Sequence, residues 1–211
     1  MRESRATDFG SVAVRVPPAE RGQRIGLLGG SFNPAHQAHR HISLIALRAL
    51  RLDAVWWLVS PQNPLKSSEG MASLERRIEK AREVAEHPDI LVSAPETALG
   101  SRYTIDTVER LAGAFPQARF VWLMGGDSLA TFHLWRRWRT IAKRLPIAVV
   151  ARPGHTVRAL SSPAALALGS ARQDETRAAQ LADQKAPAWV FLRERLDPTS
   201  ATALRRAGVW R

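Results

Sequence analysis

Along most of this chain, short apolar runs alternate with longer segments of helical periodicity. The apolar runs fall at residues 25–28, 54–59, 90–92, 119–124, 147–151 and 189–192. They are continuous rather than alternating with polar residues, the pattern of strands covered on both faces of a parallel sheet. Between them, residues 39–50, 73–86, 104–115 and 134–144 space apolar positions three and four apart among good helix formers. Strand and helix in turn predict an α/β fold, a doubly wound, Rossmann-like parallel sheet with helices on both faces. In such sheets ligands bind beyond the carboxyl ends of the strands. Residues 153–177, rich in Ala and Ser, read as helical with a flexible start. Residues 1–23 are polar, basic and Pro-containing, and read as a flexible extension ahead of a single domain over 24–211.

Composition narrows the chemistry. A chain of 211 residues is long enough to bury a core without disulfides or structural metal. It has no cysteine, which excludes a disulfide framework, thiolate-held zinc and a cysteine nucleophile. No stretch approaches the roughly 18 apolar residues of a membrane span, and the start lacks the apolar core of a secretory signal. The expectation is a cytoplasmic protein without a membrane partner. Formal net charge is +12, and all but four of the 31 basic residues are arginine. That balance favours anionic ligands such as nucleotide phosphates, although a solvated surface written in Arg-rich codons accounts for it equally. No basic run is interleaved with aromatics as a stacking platform for single strands requires, so nucleic acid is only a secondary expectation.

Gly29-Gly30-Ser31-Phe32-Asn33-Pro34-Ala35-His36-Gln37-Ala38-His39 follows the first apolar run and opens the first helical segment. Its glycines let backbone approach a ligand and let N–H groups converge on an anion, where a helix N-terminus adds partial positive charge. If His36 and His39 both lie in the first turn they face the same side. Two imidazoles beside a phosphate donate hydrogen bonds or neutralise developing charge. Neither a Walker loop nor a Gly-x-Gly-x-x-Gly fingerprint occurs anywhere. The stretch resembles Gly-Gly-x-Phe-Asn-Pro-x-His-x-Gly-His, the phosphate-binding signature of the nucleotidyltransferase superfamily that includes the nicotinate and nicotinamide mononucleotide adenylyltransferases. Ala38 stands at the family's glycine. The resemblance implies a nucleotidyltransferase fold, phosphate contacts from Gly29, Gly30, Ser31 and Phe32, and His36 and His39 as the catalytic pair.

Five further stretches follow the family in order. Ser60-Pro61-Gln62-Asn63-Pro64-Leu65-Lys66 is too rich in Pro and Asn for regular structure, and resembles a family loop that ends in a basic residue near the phosphates. Lys66 is either that cation or an ordinary solvated lysine. Arg76 and Arg77, at the start of the next helix, read as surface partners of neighbouring charges. Glu96 to Thr107 resembles an acidic residue followed by Ser-Tyr-Thr-x-Asp-Thr, with Arg102 replacing the serine. Thr104 is suited to cap a helix, whose first N–H groups near Tyr103 and Thr104 offer a carboxylate a positive end.

Gly125-Gly126-Asp127-Ser128-Leu129, with Trp135 eight residues past the aspartate, resembles the family's Gly-x-Asp-Ser-Leu stretch and its pocket tryptophan. A carboxylate after a strand accepts ribose hydroxyls, and an indole offers a flat face to a pyridine ring. Trp138 and the remaining tryptophans read as core. Arg152 ends the fifth strand where the family approaches nucleotide. Residues 196–205 resemble Ile-Ser-Ser-Thr-x-Ile-Arg, with Ala201 replacing the second serine and Ser200, Thr202 and Arg205 matching a second phosphate site.

Taken together the resemblance implies adenylyl transfer from ATP to nicotinate mononucleotide, giving deamido-NAD and pyrophosphate. ATP is accompanied by Mg²⁺ held mainly by its phosphates. His39 is expected at the transition state, with His41, His87 and His133 as bystanders. Alternatives are nicotinamide mononucleotide or another phosphorylated acceptor, and a non-catalytic basic nucleotide- or RNA-binding module. Oligomeric state is not readable from the chain.

Overall fold

The computed structural model describes residues 16–61, 71–95, 103–152 and 154–193. Six strands coincide with the six apolar runs: β1 (Arg24–Gly30), β2 (Ala54–Val59), β3 (Ile90–Ser93), β4 (Arg119–Gly125), β5 (Ile147–Val150) and, last in the chain, β7 (Trp189–Leu192). A two-residue β6 (Arg172–Gln173) completes the sheet. Every pairing is parallel, in the order β3-β2-β1-β4-β5-β7-β6. The strand order runs one way from β1 through β2 to β3 and the other way from β4 outward. Adjacent β1 and β4 therefore form the topological switch point, where the connections diverge and leave a crevice at the carboxyl ends.

Period-two alternation sorts the strands' side chains into two cores. Leu28, Trp57, Val59 and Val121 face one side, packed by α1 (Gln37–Ala49), α2 (Leu74–Ala85) and a 3₁₀ segment (Glu175–Asp183). Ile25, Leu27, Trp56 and Trp122 face the other. That side is covered by α3 (Thr104–Ala114), α4 (Gly126–Thr131), α5 (Trp138–Arg144), α6 (Thr156–Leu160) and α7 (Pro163–Ala167). Adjacent Trp56 and Trp57 thus anchor opposite cores, each with no exposed surface. Burial of one such side chain stabilises the fold by about 3 kcal/mol. The Trp57 indole donates to Ser43 Oγ of α1 at 2.8 Å, so its polar atom is paired inside the core.

Three expectations change. The helix expected over 134–144 is interrupted: a 3₁₀ turn (Phe132–Leu134) precedes Trp135 in extended conformation, and α5 begins only after Arg137, which sits at φ 51. The indoles decide this, because Trp138 packs into the core while Trp135 stands edge-on to Phe132 and Trp122, an arrangement one continuous helix does not provide. Residues 153–177, expected to be helical, divide among α6, α7, a 3₁₀ turn and β6. Arg172 and Gln173 carry no apolar signal, and pairing with Trp189 and Val190 alone makes them a strand. The cap of α3 is Tyr103, with Thr104 the first helical residue. Ahead of β1, Val16 and Ala19 pack against the core and the Gly22 N–H donates to the Gln117 carbonyl at 2.9 Å.

Candidate active site

The loop leaving β1 is shaped by its aromatic neighbours. A Cβ on Gly29 would lie 2.7 Å from the Trp122 ring, so only glycine lets β1 run this close to that indole. Phe32 takes φ 45, a left-handed conformation unusual for a bulky residue. Its ring is buried, 5.0 Å from Trp57 and 4.7 Å from His39. Any ligand contact by Phe32 is therefore through its backbone. His36 occupies the cap position of α1 and His39 the third helical position, which brings their ring centroids to 3.9 Å. The His36 backbone N–H donates to His39 Nδ1 at 3.2 Å. An accepting Nδ1 carries no proton, which leaves the proton of His39 on Nε2. Ala38 is 3% exposed, so its methyl offers almost no surface to an arriving ligand.

Arg77 is not a surface residue. It is 2% exposed, on the same stripe of α2 as Ile78, Ala81 and Ala85. Its guanidinium donates to four carbonyls: Ser31 at 2.6 Å, Ser60 at 2.7 Å, Pro61 at 2.9 Å and Ala72 at 3.1 Å. Burial lowers its pKa from the usual value, and the nearby Glu75 carboxylate opposes that shift. The group stays charged because a guanidinium starts out far more basic than neutral pH. A second tie joins the same segments, the Ala72 N–H donating to Asn33 Oδ1 at 3.2 Å. The signal that finds Arg77 in the sequence is a cation placed on an apolar helical stripe, which a buried side chain tolerates only when fully hydrogen-bonded.

At the ends of β4 and β5, Asp127 accepts from Arg152 Nη1 at 2.8 Å, with the aspartate 39% and the arginine 17% exposed. Gly125 makes this pair possible, since a Cβ there would lie 2.5 Å from Asp127 Oδ1. On the α3 side, the Arg136 guanidinium lies 4.5 Å from the Tyr103 ring centroid, a cation–π contact beside half-buried Trp135. Lys66, Ser200, Thr202 and Arg205 lie outside the described residues, as does the 96–102 part of the second motif. No three His, Asp or Glu side chains gather to hold a metal among the described residues. None of the described helices is long and apolar enough to cross a membrane.

The cytidylyltransferase-like family matches residues 27–207. A Parvibaculum lavamentivorans protein named "Probable nicotinate-nucleotide adenylyltransferase" is 54% identical over 189 residues, 90% of this chain and 94% of that one. An Erythrobacter litoralis protein of the same name is 56% identical over 184 residues, 87% of this chain and 84% of that one. Among solved structures, the Plasmodium falciparum nicotinic acid mononucleotide adenylyltransferase complexed with NaAD has a TM-score of 0.63 at 15% identity, covering 87% of this chain and 83% of that one. The last likeness is one of fold. The sequence identities, sustained over nearly the whole chain, carry more: this chain belongs to the nicotinate-nucleotide adenylyltransferase family, within the cytidylyltransferase-like proteins.

Proposed function

We propose that this chain transfers the adenylyl group of ATP to nicotinate mononucleotide, giving deamido-NAD and pyrophosphate. One juxtaposition supports the reading above all: two imidazoles 3.9 Å apart at the start of α1, beside a switch-point crevice with the Asp127–Arg152 pair at the ends of β4 and β5. In the reaction a phosphate oxygen of the mononucleotide attacks the α-phosphorus. The new P–O bond forms as the α–β bridge breaks, and pyrophosphate leaves with the electron pair. A phosphate monoester has its second pKa near about 6 and is already mostly dianionic at neutral pH. No general base is needed, and the protein's task is to align two anions and stabilise charge on the α-phosphate.

His39, with its proton on Nε2, donates to a phosphate oxygen as charge develops, and His36 binds alongside it. Backbone groups of Gly29, Gly30, Ser31 and Phe32 line the same phosphates. Lys66, Ser200, Thr202 and Arg205 carry the triphosphate by their motif positions, and Arg152 adds positive charge beyond β5. Asp127, held in place by its bond from Arg152, accepts ribose hydroxyls of the mononucleotide. Trp135 stacks on the pyridine ring, and the N-terminus of α3 at Tyr103 and Thr104 receives the ring carboxylate. Mg²⁺ accompanying ATP would be held mainly by the substrate phosphates and would screen their charge. Both substrates belong to the cytoplasm, which is where we place the protein.

Pyrophosphate release from Mg·ATP with nicotinate and nicotinamide mononucleotides, measured in parallel, tests this. Release with the acid well above that with the amide is expected. Release with neither removes the enzymatic reading, and preference for the amide reverses the acceptor.

A further inference from the structure

We propose that Arg77, remote from the reacting atoms, is the positioning residue that aims the Phe32 N–H at the phosphates of ATP. The inference rests on the adenylyl-transfer reading. In a trans peptide the carbonyl and the following N–H point to opposite sides. The Ser31–Phe32 peptide is not among the cis bonds, and its carbonyl is drawn toward α2 by Arg77 Nη1 at 2.6 Å. The Phe32 N–H is thereby turned away from α2. This orientation coincides with φ 45 at Phe32, a conformation that persists only where its surroundings over-determine it. Arg77 supplies that constraint from one side and the stack of the Phe32 ring on Trp57 from the other.

The same Nη1 also donates to Ser60 at the end of β2. Nη2 and Nε hold Pro61 and Ala72, the residues flanking the stretch that contains Lys66. One buried cation thus sets the register of two segments, which a planar five-donor fork does and an ammonium does not.

Arg77→Lys keeps the charge and loses the fork. Binding of α,β-methylene-ATP with Mg²⁺ is expected to weaken about tenfold, the equivalent of about 1.4 kcal/mol, while binding of nicotinate mononucleotide stays close to that of the unsubstituted protein and the melting temperature falls as buried carbonyls lose their donors. Unchanged binding of the analogue overturns the inference. A parallel loss of both ligands together with the melting temperature assigns Arg77 a structural role only, and also overturns it. Should Arg77→Lys not fold, the unsubstituted protein labelled with ¹⁵N-phenylalanine still decides. Its Phe32 amide resonance is expected to shift with the ATP analogue and not with the mononucleotide alone, and an unmoved resonance overturns the inference. Failure of the unsubstituted protein to bind the analogue at all would instead strike the adenylyl-transfer reading.

Discussion

His39 combines two properties that separate catalysis from stability: it is only half-buried, and its Nδ1 is already occupied by the His36 N–H. Truncation to alanine leaves no unpaired charge in the core and removes the donor proposed for the phosphates. His39→Ala is expected to lower kcat by about two to three orders of magnitude, as loss of a transition-state donor does, with the melting temperature lowered only modestly by loss of the His36 N–H contact. Steady-state kinetics and thermal melts on one preparation check both halves, and near-normal kcat removes His39 from the mechanism. Trp135 is poised differently, packed against Phe132 and Trp122 with part of its surface open. Trp135→Ala should raise KM for the mononucleotide about tenfold, in line with a stacking contribution of about 1–3 kcal/mol, and KM for ATP much less. Equal changes in both would make the indole structural. Both residues stand out in the sequence because their spacing from a glycine turn is local. Arg77 is marked locally only by its place on an apolar stripe, and its role is not, because the acceptor that gives it meaning, Ser31, lies 46 residues away.

Between residue and molecule, each element's contribution lies in where it starts. Strand β4 runs into α4 through Gly125 and Gly126, and the missing Cβ at 125 gives the Asp127 carboxylate its place. An added methyl meets side chains alone, Asp127 Oδ1 first and Arg152 Cδ at 3.3 Å next, so the Asp127–Arg152 pair moves more easily than the backbone does. Gly125→Ala is therefore expected to cost less than about 1 kcal/mol in stability while raising KM for the mononucleotide. Chemical denaturation beside kinetics tests this, and lost stability with unchanged KM would contradict it. The break between the 3₁₀ turn at Phe132–Leu134 and α5 shows how packing overrides propensity. Residues 134–144 are good helix formers, yet Trp135 and Trp138 cannot both find their neighbours along one unbroken helix.

Across the whole molecule the sheet separates chemistry from scaffold. The carboxyl ends carry the proposed site, whereas at the amino ends of β1 and β4 Asp183 pairs with Arg24 at 2.7 Å and with Arg119. These partners are partly exposed, and such pairs contribute about 0–1 kcal/mol. Asp183→Ala should lower the melting temperature slightly, less so at high salt, and leave kcat/KM unchanged; a large loss of activity would show that the two ends are coupled. The apolar runs, the helical segments between them and the His-x-x-His loop are each specified within a few consecutive residues, so the sequence alone determined the α/β class, the main elements and the chemistry of the loop. Strand order, the two-residue β6, the burial of Arg77 and the Asp127–Arg152 pair depend on residues brought together from distant parts of the chain, as far apart as Arg24 of β1 and Arg119 of β4. Those were decided only by the tertiary structure, because a polar side chain takes its role from the partner that folding places beside it.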